Sequence, residues 1–422
     1  MPPEPAPDGP ATRTDGPPYR PGPPLDLLPA DVVQPVRTLL GDPAARVTDV
    51  QATPIGYESW SRSSDGLYDV SGTARTAHGD RAWRLVLKQV SHRRWTPAPG
   101  DLARQMDDGG DAPGDWAYWR REALLLESGL LDRLPDGFAA PRCLATTPRG
   151  GAGQGLRLWL ERVTGVPGDR WTADDLLTAA YDLGRCHARY LAEPPAPRPW
   201  FCRPFLEQRA LIGRAALIGR VEEAAGTADP LLRRLFPRAA ATALRTLWER
   251  HAQVVDLMRR LPHTLVHRDL TPGNLFRAPG RTVAIDWGQT GLGPAGEDLA
   301  TLVLSSRPAG HLDAQGLADL GTAAAARHRA GLAEGGWHGD PETVAVAYRL
   351  VAAFHYGLPL ARTADKLLAL PPERRRVAAE DTGLRTRIAT MIAHLETAQP
   401  DLRRLDTHVS APSRRTCSGR TS

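Results

Sequence analysis

One stretch constrains this chain more than any other. Val266-His267-Arg268-Asp269-Leu270-Thr271-Pro272-Gly273-Asn274-Leu275-Phe276 is followed shortly by Val283-Ala284-Ile285-Asp286-Trp287-Gly288. Its polar residues are a His, an Asp, an Asn and a second Asp, set between apolar runs. Thr264-Leu265-Val266 reads as a short buried strand. Leu275-Phe276 and Thr282-Val283-Ala284-Ile285 read as a hairpin around Ala278-Pro279-Gly280, with Asp286 at the end of the return strand. Buried elements would therefore present all four polar groups together. That order suits magnesium-dependent phosphoryl transfer: one carboxylate orients an attacking hydroxyl, while an amide and a second carboxylate hold metal ions that bridge nucleotide phosphates. A His-x-Asp-x4-Asn spacing alone arises by chance in roughly a few per cent of chains this long. The flanking strand and hairpin are what separate this occurrence from coincidence.

Composition bears on the same question through one residue type. Of 53 basic residues only Lys88 and Lys366 are lysine. Lys88 closes the run Trp83-Arg84-Leu85-Val86-Leu87-Lys88, and strand alternation puts Val86 and Lys88 on one face. A compact ammonium suits a phosphate oxygen, whereas arginine is a wide fork. An ordinary exposed lysine is the competing account. The net charge of +5 comes from scattered arginines without interleaved aromatics, so a solvated surface is expected and no nucleic-acid partner. No run approaches the roughly 18 apolar residues of a membrane span. Cys143, Cys186, Cys202 and Cys417 show neither CxxC nor zinc spacing and read as free thiols, which points to a cytoplasmic protein. Oligomeric state is not legible.

Along the chain, residues 1–28 are proline-rich, with 11 Pro in the first 30 positions, and read as a disordered leader. Strand-like runs follow at 47–50, 67–74 and 83–88, with a turn expected at His78-Gly79-Asp80, then a Pro/Gly/Asp-rich loop at 91–114. A helix is expected from Trp116 through Trp119–Glu127, ending near Ser128-Gly129, and a strand over Leu156–Val163. Beyond Thr164 the pattern turns helical. Thr172 with Asp175 marks a capping-box start, and Asp340-Pro341 an N-cap with a first-turn proline. Residues 203–260 and 311–333 also read as helices. The expected layout is α+β: residues 29–163 as a β-rich N-terminal nucleotide-binding lobe, 164–398 as a larger, mainly helical catalytic and substrate lobe, and 399–422 as a disordered tail.

Val266–Phe276, Ala284–Gly288 and Leu85–Lys88 together resemble the aminoglycoside phosphotransferase family, small-molecule kinases of the protein-kinase-like superfamily. The resemblance spans roughly residues 45–395. It implies a bilobal kinase fold with ATP in the cleft between lobes, and phosphorylation of a small-molecule hydroxyl. Carried over residue by residue, Asp269 is the catalytic base and His267 braces its loop. Asn274 and Asp286 ligate Mg2+, and their hard oxygen atoms suit that ion. Lys88 contacts the α/β-phosphates, Glu122 is its ion-pair partner with Glu127 as a rival, and Val86 lines the adenine pocket. The backbone of Glu161–Val163 pairs with adenine. Asp298, in Gly296-Glu297-Asp298-Leu299-Ala300, matches an Asp that supports the catalytic loop and has a structural role.

The chain departs from the family at several positions. Most members have Gly where this chain has Arg268, so the local sequence reads like the protein-kinase His-Arg-Asp, and Asp286-Trp287-Gly288 echoes Asp-Phe-Gly. Yet Thr271 stands where serine/threonine kinases carry lysine, no Ala-Pro-Glu follows, and Gly288 to Asp298 leaves no room for an activation loop. These three points favour a small-molecule acceptor: an antibiotic such as an aminoglycoside, an amino alcohol or a sugar. Gly56 and Ser59–Gly66 would have to serve as the phosphate-covering loop. A cationic acceptor would need carboxylates, for which Glu297, Glu334, Asp340 and Glu342 are candidates. Tyr348, Phe354, His355 and Tyr356 would line either the site or the core. The rival reading is a non-catalytic nucleotide-binding regulatory protein with a kinase-like fold.

Overall fold

The computed structural model describes residues 24–56, 64–92, 112–116, 118–150, 153–204, 206–207, 215–306 and 314–409. The expected leader up to residue 23, the loop across 93–111, most of the expected phosphate-covering loop (57–63) and the tail from 410, with Cys417, lie outside the described residues. The chain divides into two compact units, residues 1–111 with 143–162 and residues 112–142 with 163–422.

The first unit is built on an antiparallel sheet of order β1-β2-β3-β6-β5, comprising β1 (Arg46–Pro54), β2 (Ser64–Thr76), β3 (Gly79–Ser91), β5 (Cys143–Arg149) and β6 (Gly155–Glu161). The turn between β2 and β3 sits at Ala77-His78, one residue earlier than expected, and Gly79 follows at φ 103°. Pairing register sorts the side chains. Tyr68 lies opposite Leu87 and Val70 opposite Leu85, and with Trp83 and Trp159 they form a core with Leu27, Val32 and Val36 from the helical turn and helix α1 (Val33–Leu40). Each such large apolar side chain contributes roughly 1.5–3 kcal/mol by leaving water. The other face carries Leu67, Asp69, Val86, Lys88, Leu158 and Leu160, because Lys88 pairs with Leu67 and Leu158 while Val86 pairs with Asp69 and Leu160. Val86 and Lys88 thus share a face, as alternation requires.

The second unit is mainly helical, with two small sheets that carry the motif of interest. Strand β8 (His263–Val266) pairs antiparallel with β11 (Gly291–Pro294). The hairpin β9 (Leu275–Ala278) and β10 (Arg281–Ala284) turns at Gly280, whose φ of 71° suits a left-handed turn position. Around it, β4 (Phe138–Ala139) and β7 (Val166–Pro167) complete a sheet of order β4-β10-β9-β7. Residues 112–142, expected in the N-terminal lobe, cluster here instead. Leu125, Leu130 and Phe138 are buried in one core with Trp171, Leu176, Leu265 and Trp287, which ties α2 (Arg121–Glu127) to this unit.

The remaining helices are α3 (Ala173–Ala192), α4 (Ala215–Gly226), α5 (Pro230–Leu235), α6 (Arg238–Glu249), α7 (His251–Arg260), α8 (Gly296–Ser305), α9 (Ala314–Glu334), α10 (Pro341–Ala369), α11 (Pro372–Glu380), α12 (Thr382–Thr397) and α13 (Gln399–Val409). The expected caps are present: Thr172 and Asp175 form a reciprocal box on α3, and Asp340 caps α10 ahead of Pro341. Residues 399–409, expected within a disordered tail, form α13 and bury Leu402. By length and mean hydropathy, 1.3 over its best 18-residue window, α10 could cross a bilayer, but 56% of that window is buried inside the protein. Its apolar residues instead supply the centre of the larger helical core. Cys143, Cys186 and Cys202 are free thiols.

Candidate active site

Strand β8 delivers the chain to His267 and pairs with β11, which leads into α8. This places the first turn of α8 against the loop after β8. Asp298, on that turn, accepts the backbone amides of His267 and Arg268, each at 2.7 Å. His187 Nε2 lies 3.5 Å from the same carboxylate, and both groups are buried. Burial works to raise the Asp298 pKa, but His187, His267 and the His267 amide outweigh it and hold the carboxyl below its ordinary value. Asp298 is thus a charged anchor under the loop, as the sequence reading proposed for it.

The loop is then closed by its own side chains. His267 Nε2 bonds the Ile285 carbonyl at 3.0 Å, its Nδ1 accepts the Asp269 amide at 3.2 Å, and its ring packs against Trp287 with centroids 4.5 Å apart. His267 therefore joins the Asp269 loop to the Asp286 segment. Asn274 donates Nδ2 to the Asp269 carboxylate at 2.9 Å and to the Asp269 carbonyl at 3.0 Å. The Ile285 amide donates to the Asn274 carbonyl at 2.9 Å, continuing the hairpin ladder past β9 and β10. Asn274 and Asp286 consequently flank the open end of one hairpin, with Asp269 hydrogen-bonded to the first of them.

Two residues of the described chain other than glycine have positive φ, and both are in this motif: Arg268 at 67° and Asp286 at 60°. Left-handed backbone costs a non-glycine residue of order 1–3 kcal/mol and persists only where surroundings impose it. For Arg268 they do. Its Nε donates to Glu297 at 2.9 Å and Nη1 to the Cys202 carbonyl at 2.6 Å, both buried, and Nη2 donates to the Leu292 carbonyl at 2.7 Å. A second buried arginine acts on the other half of the motif. Arg121, fully shielded from solvent, donates to the carbonyls of Gly288 at 2.8 Å, Trp200 at 2.7 Å, Trp116 at 3.0 Å and Pro113 at 3.1 Å, and to that of Asp115.

The residues expected on the nucleotide side fall as follows. Lys88 and Val86 lie on one face of β3, with Lys88 9% exposed, and Glu161 ends β6 opposite Leu85. These belong to the first unit, whereas Val163 and Glu122, the latter buried near the start of α2, belong to the second. Glu127, the rival to Glu122, is exposed at the other end of α2.

The carboxylates considered for a cationic acceptor have other partners. Glu297 pairs with Arg268, Glu334 accepts from the Tyr181 hydroxyl, Asp340 caps α10 and Glu342 pairs with Arg349 at 2.6 Å. Phe354 is buried in the larger helical core, Tyr348 packs against it, and the Tyr356 hydroxyl donates to the Leu304 carbonyl. These aromatics are core. Sequence reasoning missed Arg121 and the Trp200–Cys202 segment. The only signal was an Arg directly before a candidate Glu, which has no pattern of its own.

A model described as "Phosphotransferase enzyme family" matches residues 75–338, more than half of the chain and including every residue of the motif. Comparison with curated proteins returns no sequence match. Among solved structures, choline kinase from Cryptosporidium parvum Iowa II is 13% identical, covering 86% of this chain and 91% of its own, at a TM-score of 0.43. An amicoumacin kinase in complex with AMP-PNP, Ca2+ and Ami is 12% identical, with coverage of 81% and 89% and a TM-score of 0.44. An aminoglycoside phosphotransferase from Alicyclobacillus acidocaldarius is 14% identical, with coverage of 80% and 90% and a TM-score of 0.44. At these scores the likeness carries no inference about substrate.

Proposed function

Because this chain belongs to the phosphotransferase enzyme family, we propose that it transfers the γ-phosphate of ATP to a hydroxyl of a small polar molecule. The supporting observation is the arrangement of Asp269, Asn274 and Asp286 around one hairpin end, with Asn274 Nδ2 spent on the Asp269 carboxylate. Asp269 is the group that accepts and orients the acceptor hydroxyl, and His267 fixes its loop. An amide whose nitrogen is engaged has its oxygen left for a cation. The Asn274 oxygen and the Asp286 carboxylate are hard donors that fit magnesium, which keeps several waters and shares its coordination with nucleotide phosphates. Magnesium would neutralise charge on those phosphates. Within the first unit, Lys88 serves the α/β-phosphates, Val86 lines the adenine pocket, and the Glu161 backbone pairs with the base.

The acceptor class is an antibiotic, an amino alcohol or a sugar. The engagement of Glu297, Glu334, Asp340 and Glu342 with other partners weighs against them as the carboxylates of a site for a cationic acceptor. The simultaneous presence of Lys88, Asp269, Asn274 and Asp286 weighs against a non-catalytic regulatory protein. The test is ADP release and acceptor phosphorylation by the full chain with MgATP and gentamicin, choline or glucose. Phosphorylation of an acceptor supports the reading. An ATP-dependent rise in melting temperature without turnover, on these and a wider hydroxyl panel, would favour the nucleotide-binding alternative.

A further inference from the structure

The guanidinium of Arg268 occupies a socket shaped for it. A Cβ placed on Gly291 would run into Arg268 Nη1 and the Cys202 carbonyl, and one on Gly293 would run into Glu297 Oε2. The two glycines of β11 thus leave the space that the buried Arg268–Glu297 pair fills, and the Leu292 carbonyl between them accepts from Nη2. On its far side the guanidinium holds the Cys202 carbonyl, while the Cys202 amide donates to the Thr290 carbonyl at 2.9 Å. The Trp200 carbonyl, two residues earlier, is held by Arg121, which also holds Gly288 just past Asp286. The segment Trp200–Cys202 is therefore fastened at one end to the Asp269 loop and at the other to the Asp286 segment. The residue doing the first of these jobs is also the left-handed residue immediately before Asp269.

We propose that Arg268, with Glu297 as its counter-ion, is a positioning residue: it sets the backbone before Asp269, and so the direction of the Asp269 carboxylate, by bolting the loop to β11 and to the Trp200–Cys202 segment. This rests on the reading of Asp269 as the base. A fork is required rather than a charge, because three acceptors at different bearings must be met at once. A glycine at 268 would relax the left-handed backbone but leave the socket empty and Glu297 buried without its partner.

The experiment uses the full chain with Arg268→Lys, Arg268→Gly and Glu297→Gln, assayed with MgATP and whichever of gentamicin, choline or glucose the wild type phosphorylates. Melting temperature and amide hydrogen exchange over residues 198–204 and 264–276 are followed in parallel. Arg268→Lys and Arg268→Gly are expected to lose kcat by on the order of 10–100-fold while KM for ATP stays within about threefold. Exchange should rise in both stretches. Glu297→Gln, which keeps an oxygen acceptor, should lose only a few-fold. A merely structural pair would lower the melting temperature and leave kcat per folded molecule unchanged, and that result with Arg268→Lys overturns the proposal. If Arg268→Gly does not fold, Arg268→Lys and Glu297→Gln decide. Absence of wild-type turnover on every acceptor counts against the functional reading. The exchange measurement, which needs no acceptor, then decides the clamp: unchanged protection of both stretches in Arg268→Lys overturns it.

Discussion

The side chain of Asn274 donates to the carboxylate of Asp269 at 2.9 Å, so the amide that would ligate a cation also steadies the carboxylate proposed as the base. Removing it should damage both roles. Asn274→Ala is expected to raise the magnesium concentration for half-maximal turnover at least about 10-fold. It should also lower kcat, measured by coupled ADP release across a magnesium titration. An unchanged magnesium dependence would remove Asn274 from the cation site. Asn274→Asp should be worse still at saturating ATP, because it sets a second negative charge beside Asp269.

Asp298 carries two backbone amides of the loop on one buried carboxylate. Asp298→Ala should cost about 3 kcal/mol or more, since two buried donors lose their acceptor. The pH dependence follows from its lowered pKa. A carboxylate more acidic folded than unfolded contributes stability that is fully present above the unfolded value near 4 and lost as pH falls through the folded value. Urea unfolding of wild type should therefore show stability eroding below about pH 4, and Asp298→Asn should flatten that acid limb.

His394 works in the same pH direction for a different reason. Burial on α12 pushes its pKa down to about 4, so the folded protein holds it neutral while the unfolded chain protonates it near 6.5. The unfolded state binds more protons between those values, so stability should fall as pH drops from 6.5 toward 4. The expected loss is on the order of 2–3 kcal/mol. His394→Gln should remove most of that slope, and an unaltered slope would show that His394 is not its source.

Arg349 on α10 holds the buried Asp401 of α13 through two hydrogen bonds, at 2.7 and 3.0 Å. Hydrogen bonding to Asp401 raises the Arg349 pKa further, so the guanidinium stays charged at all ordinary pH. Arg349→Met removes the two hydrogen bonds that Asp401 accepts from it and leaves Arg404, 3.5 Å away, as its remaining ion-pair partner; it should destabilise the helical unit by at most about 3–5 kcal/mol. Arg349→Met with Asp401→Leu should recover most of the loss, as thermal unfolding would report.

Local pattern made some of this architecture readable in advance. The hairpin around Gly280, the cap at Thr172 and the shared face of Val86 and Lys88 each follow from short-range periodicity or turn chemistry, and each is present. The support role of Asp298 was readable through the family motif. What escaped was long-range. β11 spells Gly-Leu-Gly-Pro, a composition that reads as a turn. It is a strand because those glycines make room for Arg268 and Glu297, a reason visible only when all four meet. Arg121 gives no local sign that five backbone carbonyls converge on it, and its burial is what carries residues 112–142 into the second unit. Pro359 within α10 also contradicts the local rule that proline ends a helix; core packing on both sides of it overrides that preference. Arg268 and Gly288, the two departures that the motif alone does not explain, are where the buried arginines act: one is an arginine, the other offers its carbonyl to one.

In the proposed function Asp269 directs phosphoryl transfer from ATP to a small hydroxyl. The most direct measurement is phosphorylation of gentamicin, choline and glucose by mass spectrometry, comparing wild type with Asp269→Asn at matched MgATP occupancy. The account predicts a phosphomonoester on at least one acceptor with wild type, a rate about 10²–10⁴-fold lower with the variant, and MgATP affinity preserved. Equal rates for the two proteins on every phosphorylated acceptor would contradict it.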